Sequence, residues 1–327
     1  YGAWHKMECT KYNVARSDNP VTPLWVAVTG IRAMNDEQRL PVVRLLLEQY
    51  LDYYDQDSAH YDSSDDDDAL GELCCLMKFI GAWRSPALLD LFLTDEVEGV
   101  ISNCEIPDYR PDDSVHKGVH DALVAAGAKN NTGIITRLAE YTSEEPLRGG
   151  ISHYHARTFR EAVPKALVEA LRARNSNGAA DAIFACPEWA EAVKSAAPEA
   201  VLQAAWTADR ASEEVTAKLI KLLCDTGGSL DYADGIGQTA LHIALRAGLD
   251  RIDPASMREP ALAIARLLIS SGCNVAPEMH SGTTPLWNAC CEGSLEFVES
   301  LAERGAVWAS LQSSSESSLD FFAIACS

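Results

Sequence analysis

Residues 282–306 read GTTPLWNACCEGSLEFVESLAERGA, and the order of breakers and apolar residues in that stretch decides the fold. Pro285 opens a short helix, because proline suits the first helical turn, where an N–H would have no partner. Gly293 breaks that helix, and a second one carries Phe297, Val298 and Leu301. Gly305 ends it, at the position after a last turn where a positive φ is needed. Leu286, Ala289, Phe297, Val298 and Leu301 fall where they point inward, between the two helices and toward the next pair.

The unit recurs. Thr239-Ala240-Leu241-His242-Ile243-Ala244 follows the turn Asp234-Gly235-Ile236-Gly237, and a second helix from Ile264 to Leu268 ends at Gly272. Leu319, in Ser318-Leu319-Asp320-Phe321-Phe322-Ala323, lies 33 residues after Leu286. This turn–helix–helix unit closely resembles the ankyrin repeat and its T-P-L-H-x-A signature, with Trp287 standing where the signature has histidine. Leu241 and Leu286 are 45 residues apart, the repeat length of about 33 plus an insertion, expected as a Pro-containing loop from Leu249 onward.

Weaker copies extend toward the start. Thr22-Pro23-Leu24-Trp25-Val26-Ala27 opens a repeat over 20–50, its second helix (Val42 to Leu47) delayed by an extra loop. An acidic loop follows over 51–68, then repeats over 69–100, 115–141 and 150–175. The stretch 181–198, around Cys186-Pro187-Glu188-Trp189, fits no unit and reads as an inserted helix. Repeats over 199–228, 234–273 and 282–306 come next, with a partial repeat over 316–327. The expected fold is therefore all-α: an ankyrin-repeat solenoid of about eight helix-pair units over 1–327, some degenerate. A helix pair of this kind buries too little surface alone and is stable only against its neighbours. The resemblance further implies that loop tips and first helices line one concave surface, where ligands of the family lie.

Composition narrows the function. The chain has 327 residues and a net charge of −21, which argues against direct binding of nucleic acid, since phosphates need a basic stripe. The same charge favours a basic partner and speeds its approach. No apolar run approaches the roughly 20 residues of a membrane span. The opening Tyr1-Gly2-Ala3-Trp4-His5-Lys6 reads as part of a longer protein. Ten cysteines, among them the neighbours Cys74-Cys75 and Cys290-Cys291, show no C-x-x-C and no staple spacing. They read as reduced, buried thiols, which places the chain inside the cell, in cytoplasm or nucleus. The sequon Asn130-Asn131-Thr132 is then incidental.

No catalytic, cofactor or metal constellation emerges. G-x-S-x-G and phosphate-loop patterns are missing from the sequence. His116 and His120, like His153 and His155, make pairs without the third ligand that zinc requires. Asp231-Tyr232-Ala233-Asp234-Gly235 lacks the glutamate that closes a calcium loop and reads as a turn. The resemblance gives His242 a structural role, bonding neighbouring turns. What stands out is the tract from Asp52 to Glu72. It holds Asp52, Asp55, Asp57, Asp62, Asp65, Asp66, Asp67, Asp68 and Glu72, and no Lys or Arg occurs between Arg44 and Lys78.

These features favour a non-catalytic scaffold that binds a partner segment, basic in character, with no cofactor or metal. Trp25, Tyr53, Tyr54, Asp65, Asp66, Asp67, Asp68 and Trp287 are the expected contact residues, the aromatics offering cation–π faces to Lys or Arg. Ser63 and Ser64, each followed three residues on by Asp, suit an acidophilic kinase. The competing readings are a histone-tail reader or chaperone for a basic protein, and a regulatory module of a larger enzyme or membrane protein. If the register is right, Leu286→Ala opens a cavity and costs about 2–5 kcal/mol. A change at Glu296 costs little. Thermal melts in which the two changes are equally harmless contradict the register.

Overall fold

Several of the described helices open on a sequence device that supplies hydrogen bonds the first turn lacks. In the computed structural model, the described residues are 22–30, 35–56, 63–94, 97, 114–144, 152–173, 177–208, 213–246 and 254–306. Fourteen α-helices and one 3-10 turn occupy them, with no strand among the described residues beyond an isolated antiparallel bridge between Ala233 and Thr239. The chain divides into two compact units, Tyr1–Ala166 with Cys186–Trp189, and Leu167–Ala185 with Ala190–Ser327.

In the first unit, Thr22 caps helix α1 (Pro23–Thr29), its hydroxyl accepting from the Trp25 N–H at 3.1 Å, with proline at the first position as expected. Helix α2 (Asp36–Gln56) opens on a reciprocal box. Asn35 Oδ1 accepts from Gln38 N at 2.9 Å, and Gln38 Oε1 from Asn35 N at 3.2 Å, satisfying two otherwise orphaned donors. Then come α3 (Ser63–Trp83), α4 (Pro86–Asp90), α5 (Ser114–Lys129) and α6 (Thr132–Glu144). The first helices pack in one row, α1 on α3 and α3 on α5. The second helices form another, α2 on α4 and α4 on α6. Glycine sets the spacing of the first row: a Cβ on Gly81 of α3 would sit 2.3 Å from the Ala122 carbonyl of α5.

The end of α1 is held by two arginines. Buried Arg39 donates to the carbonyls of Ala27 (2.9 Å) and Gly30, and Arg84 to those of Val28 (3.0 Å) and Gly30 (3.2 Å). Asp36 lies beside both guanidinium groups and accepts from the Ser85 N–H at 2.7 Å. Asn131 joins two helices at once: its amide donates to the carbonyls of Gly81 and Arg84 at the end of α3, and its Oδ1 accepts from Ile134 N in α6. Helix α7 (Ser152–Arg172) contributes its first part to this unit, where Phe159 stacks on fully buried Trp189 at 5.6 Å.

The second unit repeats the two-row plan. It takes the end of α7, then α8 (Asn177–Phe184), α9 (Ala190–Trp206), α10 (Glu213–Thr226), α11 (Ala240–Arg246), α12 (Pro254–Ser270), α13 (Pro285–Glu292) and α14 (Leu295–Glu303). Helices α9, α11 and α13 pack successively on one another, as do α8, α10 and α12. Ion pairs join neighbours in the second row, Lys218 to Asp181 at 2.7 Å and Arg266 to Glu296 at 2.8 Å. Thr284 caps α13 by accepting from Trp287 N, and Gly305 beyond α14 has φ 89°, the left-handed conformation its position requires.

Several boundaries differ from the sequence expectation. Stretch 181–198 is shared among α8, the 3-10 turn Pro187–Trp189 and the first half of α9, which runs on through Pro198. Of the loop expected before Val42 and the insertion expected after Leu249, the parts from Asp36 and from Pro254 are helical, because α2 and α12 start there and carry Pro41 and Pro260 inside. Of the acidic stretch 51–68, residues 51–56 close α2 and 63–68 open α3, while 57–62 lie outside the described residues. The partial repeat 316–327 also lies outside them. Gly81→Ala forces α3 and α5 apart and destabilises by about 1–3 kcal/mol or more. Gly235→Ala, where a Cβ meets nothing within 4 Å, serves as the control. Chemical denaturation giving equal midpoints for the two variants contradicts the close crossing.

Candidate functional site

In the second unit the segments before α11 and α13 fold as successive turns that lean on each other. Asp234 closes the first with its own carboxylate, Oδ1 accepting from Ile236 N at 3.0 Å and Gln238 N at 2.9 Å. A carboxylate used in this way closes its own turn. In the second turn Met279 N donates to Thr283 O and Gly282 N to Met279 O, each at 2.9 Å. Two bonds tie the turns together: His280 N to Ile236 O at 3.1 Å, and Asn274 N to Asp231 Oδ1 at 2.8 Å.

Beneath them His242 is fully buried and spans two repeats. Its Nδ1 accepts from Thr239 N at 3.3 Å and lies 3.0 Å from the Thr239 hydroxyl. Its Nε2 lies 3.3 Å from the Thr283 carbonyl, so the proton of the neutral ring sits on Nε2 and is donated there. Asn288 of α13 completes the seam by donating to the His242 carbonyl at 3.1 Å. Burial pushes the imidazole below its ordinary range, against the opposing pull of the Thr283 and Pro277 carbonyls and the Asp234 charge. The role expected of this histidine from the resemblance, bonding a neighbouring turn, is the one it has.

The expected contact residues are distributed over both units. Trp287 is half-buried on α13 in the second unit; Trp25 is half-buried on α1 in the first. Tyr53 and Tyr54 fall in the last turn of α2, and Ser63, Ser64 and Asp65 to Asp68 in the first two turns of α3; the side chains of these eight residues are outside the described set. Of the acidic tract, Glu72 turns inward: it is buried and accepts from the Thr22 hydroxyl. Burial raises its carboxyl above the usual range, with the Thr22 bond acting the other way.

The histidine and cysteine positions are occupied by structure. His120 lies between Asp121 (2.9 Å from Nδ1) and Lys165 (3.1 Å from Nε2). The side chains of His116, His153 and His155 are outside the described residues. Burial drives the thiols of Cys74 and Cys273 up to about 12 and that of Cys186 to about 11, so these three are unreactive as thiolates. Among the described residues no group of three or more His, Cys, Asp and Glu is placed to hold a metal ion, and no helix is long and apolar enough to cross a membrane.

What sequence reading passed over is the exposure of Tyr232 and Ile236, 43% and 53%, on the first turn. The stretch reads as a turn in the sequence, and pattern alone does not tell which of its side chains face solvent. Trp206, at the end of α9, is also exposed, and Trp83 carries Lys129 Nζ 4.5 Å above its ring.

Residues 210–310 match the family model for ankyrin repeats, in three copies. No curated protein matches the chain. Residues 210–310 are thus ankyrin repeats, a type of unit that generally mediates protein–protein interaction and is typically non-catalytic.

A depressed imidazole pKa makes His242 a source of pH dependence. The unfolded chain takes up the proton first, so its contribution is intact above about pH 6.5 and is lost as pH falls toward the folded value. Between about pH 7.5 and pH 5.5 the wild type loses more unfolding free energy than His242→Asn, as read from denaturant titrations. Parallel curves contradict the buried neutral ring.

Proposed function

We propose that this chain, with ankyrin repeats in residues 210–310, is a non-catalytic scaffold that captures a Lys/Arg-rich segment of a partner protein. The observation that carries the basic preference is the placement of the acidic tract. The bond from Thr22 to Glu72 sets the start of α1 beside the tenth residue of α3. Met77 lies against Gly118, the fifth residue of α5. Ser63 to Gly71 of α3 therefore reach past the starting ends of both neighbours, by roughly 13 Å at 1.5 Å per residue.

Asp65 to Asp68 lie in that overhang, at a helix N-terminus, where negative charge is favourable. Asp52 and Asp55 end α2, where negative charge is unfavourable. A cationic segment relieves the second strain and screens the repulsion of the whole group. The net charge of −21 adds long-range attraction for such a partner. The half-buried Trp25, opening the same unit on α1, offers an aromatic face for Lys or Arg.

The test is binding of a synthetic oligolysine peptide to the wild type and to a variant with Asp65 to Asp68 replaced by Asn, across a salt series. The wild type binds more tightly and weakens steeply past roughly 0.15 M salt. The variant associates more slowly, with a shallower salt slope, and melts slightly lower as the favourable charge at the start of α3 is lost. Equal affinity and equal slope for both proteins mean that the tract is only a connection between helices.

A further inference from the structure

Ser63 and Ser64 stand directly before Asp65-Asp66-Asp67-Asp68, and each has an aspartate three residues on, Asp66 and Asp67. They are the first two residues of α3, on the part that reaches past the starts of α1 and α5. Glu72, which accepts from Thr22, and Leu73 are buried about two and a half turns further along. A kinase draws its target into an extended shape, and the first turn of a helix opens at least cost, since its N–H groups have no intrahelical partner. No Lys or Arg between Arg44 and Lys78 opposes a basic substrate cleft.

Four other hydroxyls on the described helices have an acid three residues on, and each is worse placed. The Thr142 hydroxyl donates to the Leu138 carbonyl and accepts from Trp189 Nε1. Thr158 is buried in α7. Ser256 is followed by Arg258 before its glutamate, and Ser300, in the second turn of α14, has Leu301 and Ala302 before Glu303.

We infer that an acidophilic serine/threonine kinase phosphorylates this chain at Ser63 and Ser64, and that the phosphates tighten its hold on a basic segment. In the transfer the serine oxygen bonds the γ-phosphorus of ATP, the bond from that phosphorus to the bridging oxygen breaks, and ADP leaves. The hydroxyl proton passes to the kinase's catalytic carboxylate. Each phosphate adds about 1.5 to 2 negative charges and three acceptor oxygens. At the first two positions of α3 they meet the first-turn N–H groups and the positive end of the helix dipole, which offsets repulsion from the aspartates. The site stands on the sequence and the overhang of α3; the gain in affinity rests on the scaffold reading above.

In the experiment the full chain is incubated with a purified acidophilic kinase and radiolabelled ATP, and the labelled positions are mapped by mass spectrometry. Label enters at Ser63 and Ser64, is lost when Ser63→Ala and Ser64→Ala are combined, and is unchanged in Ser300→Ala. The phosphorylated chain then binds an oligolysine peptide at least about threefold more tightly than the untreated chain at low salt, with a steeper salt slope. Label that spares both serines, or that enters Thr142 or Ser300 as readily, overturns the site. Equal affinity of the phosphorylated and untreated chains overturns the gain. The scaffold reading itself fails only if the untreated chain and the variant with Asp65 to Asp68 replaced by Asn also bind alike.

Discussion

A helix pair of this size cannot bury its own apolar surface, and everything else in the structure follows from the need to lay each pair against the next. Helix α11 has seven residues and α13 eight, too short to persist alone in water. Their stability comes from contact along the row, where Leu241, Ile243, Ala244, Leu286 and Ala289 are all buried. The same constraint explains the glycines of the first row. Gly81 and Gly127 each stand where a Cβ would collide with the backbone of the neighbouring helix, so backbone approach replaces side-chain bulk; at Gly118 a Cβ would meet the Met77 side chain.

Stacking leaves helix ends crowded together, and their orphaned backbone groups need partners. The protein supplies them across the seams. His242 bonds the turn of its own repeat and the Thr283 carbonyl of the next; Asn131 ends α3 and begins α6; Arg39 and Arg84 hold the last carbonyls of α1. Only the first of these belongs to a repeat signature. The others do the same work in the first unit, outside residues 210–310, with residues of different kinds. Exposed second-row ion pairs such as Arg266 with Glu296 add orientation more than stability.

The parts of the fold legible in the sequence were those where local chemistry and tertiary contact agree. Pro285 at a helix start, Gly305 at φ 89° and the buried Leu241 and Leu286 were readable because each position has one good solution. The long helices were less so. Proline removes a helical hydrogen bond, and the helices read from the sequence start after Pro41 and Pro260 while the inserted helix stops at Pro198, yet α2, α9 and α12 run through all three. Packing along those helices, as at Val43, Ala197 and Ala261, outweighs the lost bond. The inward turn of Glu72 was hidden for a related reason: nothing in a run of acids tells which one a distant threonine will claim. Tyr232 and Ile236 were assignable by register but not by exposure, which only the folded turns reveal.

Recognition on such a scaffold depends on rigidity carried from the stack to its turns, so coupling between adjacent pairs is the claim on which the rest stands. A double-mutant cycle on Leu241→Ala and Leu286→Ala, followed by denaturant unfolding, measures that coupling directly. If α11 and α13 share one packed seam, the two losses are non-additive, with an interaction of about 0.5–3 kcal/mol. Losses that add to within about 0.5 kcal/mol would mean that the two pairs stand independently, and the stacked account would be wrong.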